Sequence, residues 1–401
     1  VNEKKPSILW MSNSPLCPTG YGVVTKNILY RLAKHGYHCD CLAYYGLEGS
    51  AIRDREHGIT IYPALFDKFG LDAAELLIHY TNPDLLITLF DVWVDPIKLP
   101  RLHPRWIAYA PVDHSPIPQP VYEALKAAWI PLAMSKHGAG EMMKAGLKPA
   151  LIPHGVDTTI FKPLDKKACR LKYHIPEDAF VVGINAANKG MRKDYPRMFD
   201  AFSGFLEKNP EAKEKARIYM HTWPVYPEGL DLQALIKYRG LDKNVIVTND
   251  FRRYVGIPDE GMAEFYNCHD VFLNLARGEG FGIPIIEAQS CGIPAIVTHF
   301  SSMIELVEGH GWTIPPVTME LTPLLSYQAL AHTGDAIEAL TDAYKNPGKV
   351  AKYGKASREF ALGYDYDTKI LPMWEKLLTD ATELIHDESC DKPNVALGRK
   401  A

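Results

Sequence analysis

Two carboxylates eight positions apart carry the first chemical signal in this chain. In residues 278–298, GEGFGIPIIEAQSCGIPAIVT, Glu279 lies in a glycine-rich loop and Glu287 in the segment that follows it. The preceding VFLNLA has the character of a strand ending at Ala276, and Pro284 suits the first turn of a helix. The loop amides then point toward the positive end of that helix, which favours an anion. Gly280 and Gly282, on either side of Phe281, have no Cβ, so a phosphate can come close to the backbone. Glu287, one turn into the helix, is placed to accept the hydroxyl protons of a ribose. Phosphate on the loop and ribose on the glutamate describe a nucleoside diphosphate. A plain structural alternative is a tight glycine turn followed by an ordinary polar helix residue.

Such a site needs strands and helices to hold it. SILWMSN, CDCLAYY, PDLLITLFD, RWIAYAP and IPLAMS alternate with helical patterns such as VVTKNILYRLAKHG and VYEALKAA. The same alternation restarts at FVVGINA, after the polar stretch TTIFKPLDKKACRLKYHIPEDA, and continues through ARIYMHTW, NVIVTN, VFLNLA and PAIVT. Repeated βα units imply parallel sheets covered by helices, with ligands at the carboxyl ends of the strands. The expected fold class is α/β, two Rossmann-like doubly wound domains: residues 1–160, and residues 161–371, with a linker near 155–170. After residue 325 the pattern reads as helical, ending near LPMWEKLLTDATELIHD, and the tail DKPNVALGRKA is expected to fray.

Composition argues against several classes. The net charge of −4 over 401 residues gives no basic excess of the kind a dedicated nucleic-acid or anionic-membrane binder carries. Seven cysteines form no CxxC pair, and Cys39 and Cys41 sit in an apolar run as small core residues. Reduced thiols, a start without a signal-peptide core and no apolar run long enough to span a bilayer lead to the expectation of a cytoplasmic protein, or one peripheral to a membrane.

EGFGIPIIE resembles the E-x7-E signature of the retaining glycosyltransferases of the GT-B fold, most closely glycosyltransferase family four, the glycosyl transferases group 1. CGIPAIVT is similar to the A-x-G-x-P-V-V-x-T continuation of that family, and IPHGVDTTIFKP to its N-G-V-D-x-x-x-F-x-P linker, with His154 replacing asparagine. HDVFLNLARGEGFG and SSMIELVEGHGWTIPP resemble further family segments, so the likeness covers most of the chain.

The resemblance implies roles elsewhere. The family's G-R-x-x-x-x-K-G pattern supplies an arginine and a lysine to the donor diphosphate; here Asn188 falls at the arginine position and Lys193 at the lysine position. Arg192 is the residue that could replace the lost charge, by gripping phosphate oxygens bidentately. Lys189 is a weaker third choice. PTGYG matches a donor-covering loop, which makes Gly20 and Gly22 donor residues and Tyr21 an acceptor-side residue. In APVDHSPIP, His114 resembles a histidine close to the donor sugar, with Asp113 to orient it or to take an acceptor proton; turn capping is the alternative. Asp91 and Trp93 end another strand on the acceptor side, where Trp93 could equally be core. Ser135 reads as a helix cap. Glu305 corresponds to a family glutamate near the nucleotide, or to a solvated helix face. His221, Trp223 and Tyr226 follow a strand end with no spacing to choose a role. Asp365 and Asp367 in GYDYD form a D-x-D out of its metal-binding context and read as structural. The terminal helix, about 372–390 and containing Trp374, would cross back to the N-terminal domain.

The expected reaction is transfer of a hexosyl group from a UDP- or GDP-sugar to a hydroxyl acceptor, with retention and without a metal or other cofactor. His114, Glu279, Arg192 and Lys193 carry the chemistry in this reading. A small glycan, lipid-linked sugar, glycoside or modified nucleic acid remains open as acceptor. The alternatives are a GT-B sugar-nucleotide epimerase or hydrolase, and a non-catalytic nucleotide-sugar-binding protein. A dinucleotide oxidoreductase is disfavoured, because no GxGxxG with its acidic partner follows a first strand.

Overall fold

The computed structural model describes residues 5–385 except Pro96. The expected fraying tail, and residues 386–390 of the expected terminal helix, lie outside the described residues. The chain divides into two compact units, one of residues 5–155, 323–326 and 366–385, the other of residues 156–322 and 327–365.

The first unit contains β1 (Ser7–Asn13), β2 (His38–Tyr45), β3 (Ile52–Asp54), β4 (Ile59–Pro63), β5 (Leu85–Leu89), β6 (Trp106–Ala110), β7 (Ile130–Ala133) and β8 (Ala150–Leu151). Their order across the sheet is β3-β4-β2-β1-β5-β6-β7-β8, and only β3 and β4 pair antiparallel. The central strands β5 and β6, LLITL and WIAYA, are buried at every residue, as strands covered on both faces must be. The order reverses between β1 and β5, so the loops leaving those two strands diverge at a topological switch point, where open α/β sheets bind ligands.

The terminal helix Leu371–Ile385 belongs to this unit. Its Trp374 is fully buried, with its ring centroid 5.4 Å from Trp10 and 5.4 Å from Tyr109. Such aromatic pairs add about 0.5–1.5 kcal/mol each beyond the area they bury. The chain leaves the first unit after Gly155 and, apart from residues 323–326, returns at Tyr366, a little before the expected limits of 160 and 371. Gly155 is pressed against Tyr366 so closely that a Cβ would lie 2.6 Å from its ring, and in the second unit Val156 forms a β-bridge with Asp365.

The second unit contains β9 (Phe180–Asn185), β10 (Ala216–His221), β11 (Val245–Val247), β12 (Val271–Asn274), β13 (Ala295–Thr298) and β14 (Trp312–Ile314), all parallel in the order β11-β10-β9-β12-β13-β14. Phe199, Phe202 and Phe205 on the helix Tyr195–Lys208 fill the core against Val182, Ile184 and Ile218. Here the order reverses between β9 and β12.

A two-stranded antiparallel hairpin, β15 (Pro316–Leu321) and β16 (Tyr327–Ala331), corrects the expectation of helix after residue 325. YQALA has good helix formers, but Ala329 N donates to the Arg277 carbonyl at 2.9 Å and the Ala331 carbonyl accepts from Arg197 at 3.1 Å. Tertiary bonds outweigh a propensity worth tenths of a kcal/mol per residue.

Candidate functional site

The loops leaving β9 and β12 flank the switch point of the second unit. Lys193 Nζ, from the first loop, donates to Glu279 Oε1, from the second, at 2.5 Å. Arg192 donates to Glu279 Oε2 at 3.1 Å and to the Gly278 carbonyl at 2.8 Å, and Asn274 Nδ2 reaches Oε1 at 3.1 Å. Glu279 is buried. Burial by itself raises its pKa, but the charges of Lys193 and Arg192, with the bonds from Lys193 and Asn274, outweigh that and hold the carboxyl below its ordinary value. The site therefore keeps an ionised glutamate between two cations.

Three serine contacts fix the loop around it. Glu279 N donates to Ser301 Oγ at 3.0 Å, and Ser302 Oγ lies 2.8 Å from the Glu279 carbonyl and 2.7 Å from that of Phe281. Ser301 adopts φ 53° and ψ −146°, a region costly for a residue with a Cβ, and its bond to the loop is the visible compensation. Gly282 has φ 107°, a conformation that favours glycine, and a Cβ there would sit 3.0 Å from Ile285 Cδ1, a tight approach. The amides of Gly280 and Gly282 have no hydrogen-bond partner among the described residues. They precede the eight-residue helix Ile283–Ser290, at the positive end of its dipole.

Glu287 is buried on that helix. Its Oε2 accepts from the Tyr266 hydroxyl at 2.6 Å, and that hydroxyl accepts from Asn185 Nδ2 at 2.7 Å. Burial pushes the Glu287 pKa up to about 8; the Tyr266 bond opposes the shift, and nearby Asp259 adds to it. Helix Ile283–Ser290 is itself anchored: Arg358 donates to the Ser290 carbonyl at 2.8 Å, and Gly354 meets Gly292 O where a Cβ would be 2.3 Å away.

Asn188 is a correction. Its side chain is buried, donating to the Leu230 carbonyl at 2.7 Å and the Trp223 carbonyl at 3.1 Å while accepting from Leu230 N at 3.0 Å. It holds the 223–230 loop and is turned away from the Lys193–Glu279 pair's bonding network. Trp223 faces Arg253 at 5.0 Å, and Lys189 pairs with Glu228 at 2.9 Å. His221 is half-buried, its ring 6.0 Å from that of Phe265, centroid to centroid.

In the first unit, PTGYG is also corrected. Gly20 and Gly22 are not loop residues but open the helix Gly20–Lys34, where Thr19 Oγ1 accepts from Gly22 N at 3.1 Å. Gly22 is glycine for packing: a Cβ would lie 2.1 Å from the Cys17 carbonyl oxygen. Tyr21, after β1, and Asp91, after β5, meet at 3.5 Å across this unit's switch point. Trp93 is 43% exposed and so is not a core residue. Asp113 Oδ1 and His114 Nδ1 lie 2.7 Å apart, and the His114 carbonyl lies 3.0 Å from His137 Nε2.

Ser135 caps the helix Lys136–Lys144 through Gly138 N at 3.1 Å. His154 is buried against the Tyr109 hydroxyl at 2.7 Å, and burial pushes its pKa down to about 3. Asp365 accepts from Thr158 Oγ1 at 2.6 Å, while Asp367 pairs with Arg31 at 2.8 Å. Among the described residues no group of three His, Cys, Asp or Glu is placed to hold a metal, and no helix is long and apolar enough to cross a membrane. Glu305 is half-buried on the helix Ser302–Val307.

Sequence reasoning missed Tyr266, Asn185, Asn274 and the Ser301–Ser302 pair. It also missed Arg277, which donates to Asp194 at 3.2 Å and, through its amide, to the Arg192 carbonyl at 2.8 Å, thereby setting Arg192 over the Gly278 loop.

Residues 195–331 match the family model for glycosyl transferases group 1. Among curated proteins, D-inositol 3-phosphate glycosyltransferase of Kribbella flavida is 24% identical over 258 residues, which is 61% of this chain and 55% of that relative. The chain thus spans about half the length of that relative. Among solved structures, sucrose-phosphate synthase from Thermosynechococcus elongatus superimposes with a TM-score of 0.74 at 16% identity, covering 96% of this chain and 99% of that one. Anabaena HepE in complex with UDP-glucose gives 0.71 at 15% identity, covering 93% and 100%. Residues 195–331 therefore carry a glycosyl transferases group 1 domain, and the chain has the GT-B fold of the glycosyltransferases.

Proposed function

We propose that the protein is a retaining glycosyltransferase that moves a hexosyl group from a UDP- or GDP-sugar to a hydroxyl acceptor without a divalent metal. The observation that carries this reading is the second unit's switch point, which gathers Arg192, Lys193, the Gly280 and Gly282 amides, Glu279 and Glu287. The similarity to HepE, a protein solved with UDP-glucose, supports the donor class.

In this mechanism the bond between the anomeric carbon and the diphosphate oxygen breaks, and negative charge grows on the leaving group. Arg192, Lys193 and the two open amides stabilise that charge, which is the work a metal does elsewhere. Glu279, ionised, accepts hydrogen bonds from donor-sugar hydroxyls, and Glu287 engages the ribose. The acceptor oxygen bonds to the same face of the anomeric carbon, and its proton passes to the departing phosphate. In the first unit, the Asp113–His114 pair offers Nε2 to the sugar, with Tyr21 and Asp91 as acceptor-side groups.

Isothermal titration with UDP, GDP and ADP in chelator, on wild type and Glu287→Ala, tests this reading first. One nucleotide is expected to bind selectively and to weaken on substitution; its sugar conjugates are then assayed for transfer to hydroxyl acceptors, with the product anomer read by NMR. Equal binding to wild type and variant, or no binding of any nucleotide, would overturn the donor assignment.

A further inference from the structure

We infer that Tyr266 is a positioning residue of the donor site: its hydroxyl, fixed by Asn185, aims the Glu287 carboxylate at the ribose. This rests on the proposed donor site and concerns a residue that touches no substrate.

The hydroxyl has one proton and is fully accounted for. Asn185 Nδ2, at the carboxyl end of β9, donates to it at 2.7 Å, so its own proton is directed to Glu287 Oε2 at 2.6 Å. Tyr266 is 0% exposed and sits in an aromatic box, with ring centroids of Phe265, Phe272 and Phe161 at 5.4, 5.8 and 6.1 Å. A packed ring of this kind has one rotamer, so the hydroxyl is a fixed point. Glu287, in contrast, has three rotatable side-chain bonds and no other hydrogen bond among the described residues. With Oε2 held, Oε1 is the oxygen left to face a ligand, and the entropy of ordering the carboxylate is lost before the ligand arrives. The three residues come from β9, the helix Asp259–Asn267 and the helix Ile283–Ser290, so the relay ties the loop-bearing helix to the central strand at the switch point.

The test compares UDP with 2′,3′-dideoxy-UDP, and GDP with its dideoxy form, on wild type, Tyr266→Phe and Asn185→Ala, by titration calorimetry. In wild type the ribose hydroxyls are expected to strengthen binding by about tenfold, the scale of one or two hydrogen bonds. In Tyr266→Phe the ribo-to-dideoxy ratio is expected to shrink by about fivefold while dideoxy affinity stays within about twofold, because phenylalanine keeps the packing and loses only the aim. Asn185→Ala, which leaves the ring in place, gives a smaller shrinkage and serves if Tyr266→Phe does not fold. A full ratio retained in either folded variant overturns the positioning role, since a purely structural residue lowers both affinities alike. A wild type that does not discriminate ribose from dideoxyribose overturns the Glu287 assignment itself, and with it this inference.

Discussion

Lys193 and Glu279 meet across the reversal of strand order in the second unit, Nζ to Oε1 at 2.5 Å, with Arg192 on the other carboxylate oxygen. The cations suited to a diphosphate thus face an internal carboxylate. Glu279 holds the two positive groups in place, and in the proposed donor site it also competes with the phosphate for them.

Neutralising that carboxylate should separate the two effects. In Glu279→Gln the cations are no longer shared, so affinity for the bare nucleoside diphosphate is expected to rise by about three- to tenfold. Transfer from the sugar nucleotide is expected to fall by about a hundredfold or more, because the amide cannot accept the donor-sugar hydroxyls as a carboxylate does. Calorimetry and steady-state rates on one preparation read both. A loss of diphosphate affinity in Glu279→Gln would show that Glu279 only organises Arg192 and Lys193.

Glu287 should make the ligand-free protein less stable as pH rises. Its pKa is near 4.5 unfolded and raised to about 8 when folded, so between those values the native state binds the proton that the unfolded state has released. Stability then falls with pH, by at most about 1.4 kcal/mol per unit. His154 and His221, whose burial lowers their pKa values to about 3 and about 4, act with the opposite sign below the ordinary histidine value of 6.5. The window from pH 6.5 to 8 is therefore the one in which Glu287 stands out. Over that window wild type is expected to lose about 1–2 kcal/mol relative to Glu287→Gln in urea unfolding. Parallel curves for the two proteins would mean that Glu287 is ionised when folded.

How much of this was readable follows from what is local. Glycines 280 and 282, Pro284 and the two glutamates announce loop, helix start and anion site within ten positions, because each acts through its own backbone. The β15–β16 hairpin was hidden, since YQALA becomes a strand by pairing with β15 and through bonds to Arg277 and Arg197 far away in sequence. Tyr266 read as one more aromatic on an amphipathic helix, and nothing in the sequence says that its hydroxyl meets residues 185 and 287. Ser301 and Ser302 support a loop some twenty residues upstream only because β13 returns the chain to the same sheet edge. Family spacing put Asn188 at a phosphate position, but spacing does not say where a side chain points.

Asn188 offers a test of that distinction. Its side-chain amide satisfies two part-buried carbonyls and one amide of the 223–230 loop. Asn188→Ala is expected to cost about 1–3 kcal/mol of stability through those orphaned groups, with nucleotide affinity changed by less than about threefold. Asn188→Arg should not raise affinity, because the guanidinium would have to fit where Gly229 already approaches so closely that a Cβ would lie 2.7 Å from Asn188 Oδ1. Denaturant titration and calorimetry read the two quantities separately. A tenfold gain in diphosphate binding by Asn188→Arg would return this position to the donor site.

The central strand of the second unit carries a further coupled pair. His269 is fully buried, with no partner for either ring nitrogen, and sits 4.5 Å from Phe265 and 5.7 Å from Tyr219, centroid to centroid. Burial first, with the charges of Lys166 and Arg170, lowers its pKa well below the ordinary value, so it is neutral at physiological pH. A Cβ on Gly183 of β9 would lie 2.1 Å from His269 Nδ1, which no real contact allows. Gly183→Ala is therefore expected to destabilise by about 2–3 kcal/mol through overpacking, and His269→Ala by a similar amount through the cavity it leaves. In the double variant the new methyl enters the space left by the imidazole, so the total should fall short of the sum by about 1–2 kcal/mol. A denaturant double-mutant cycle measures this, and strict additivity would show that β9 shifts away from His269 instead of clashing with it.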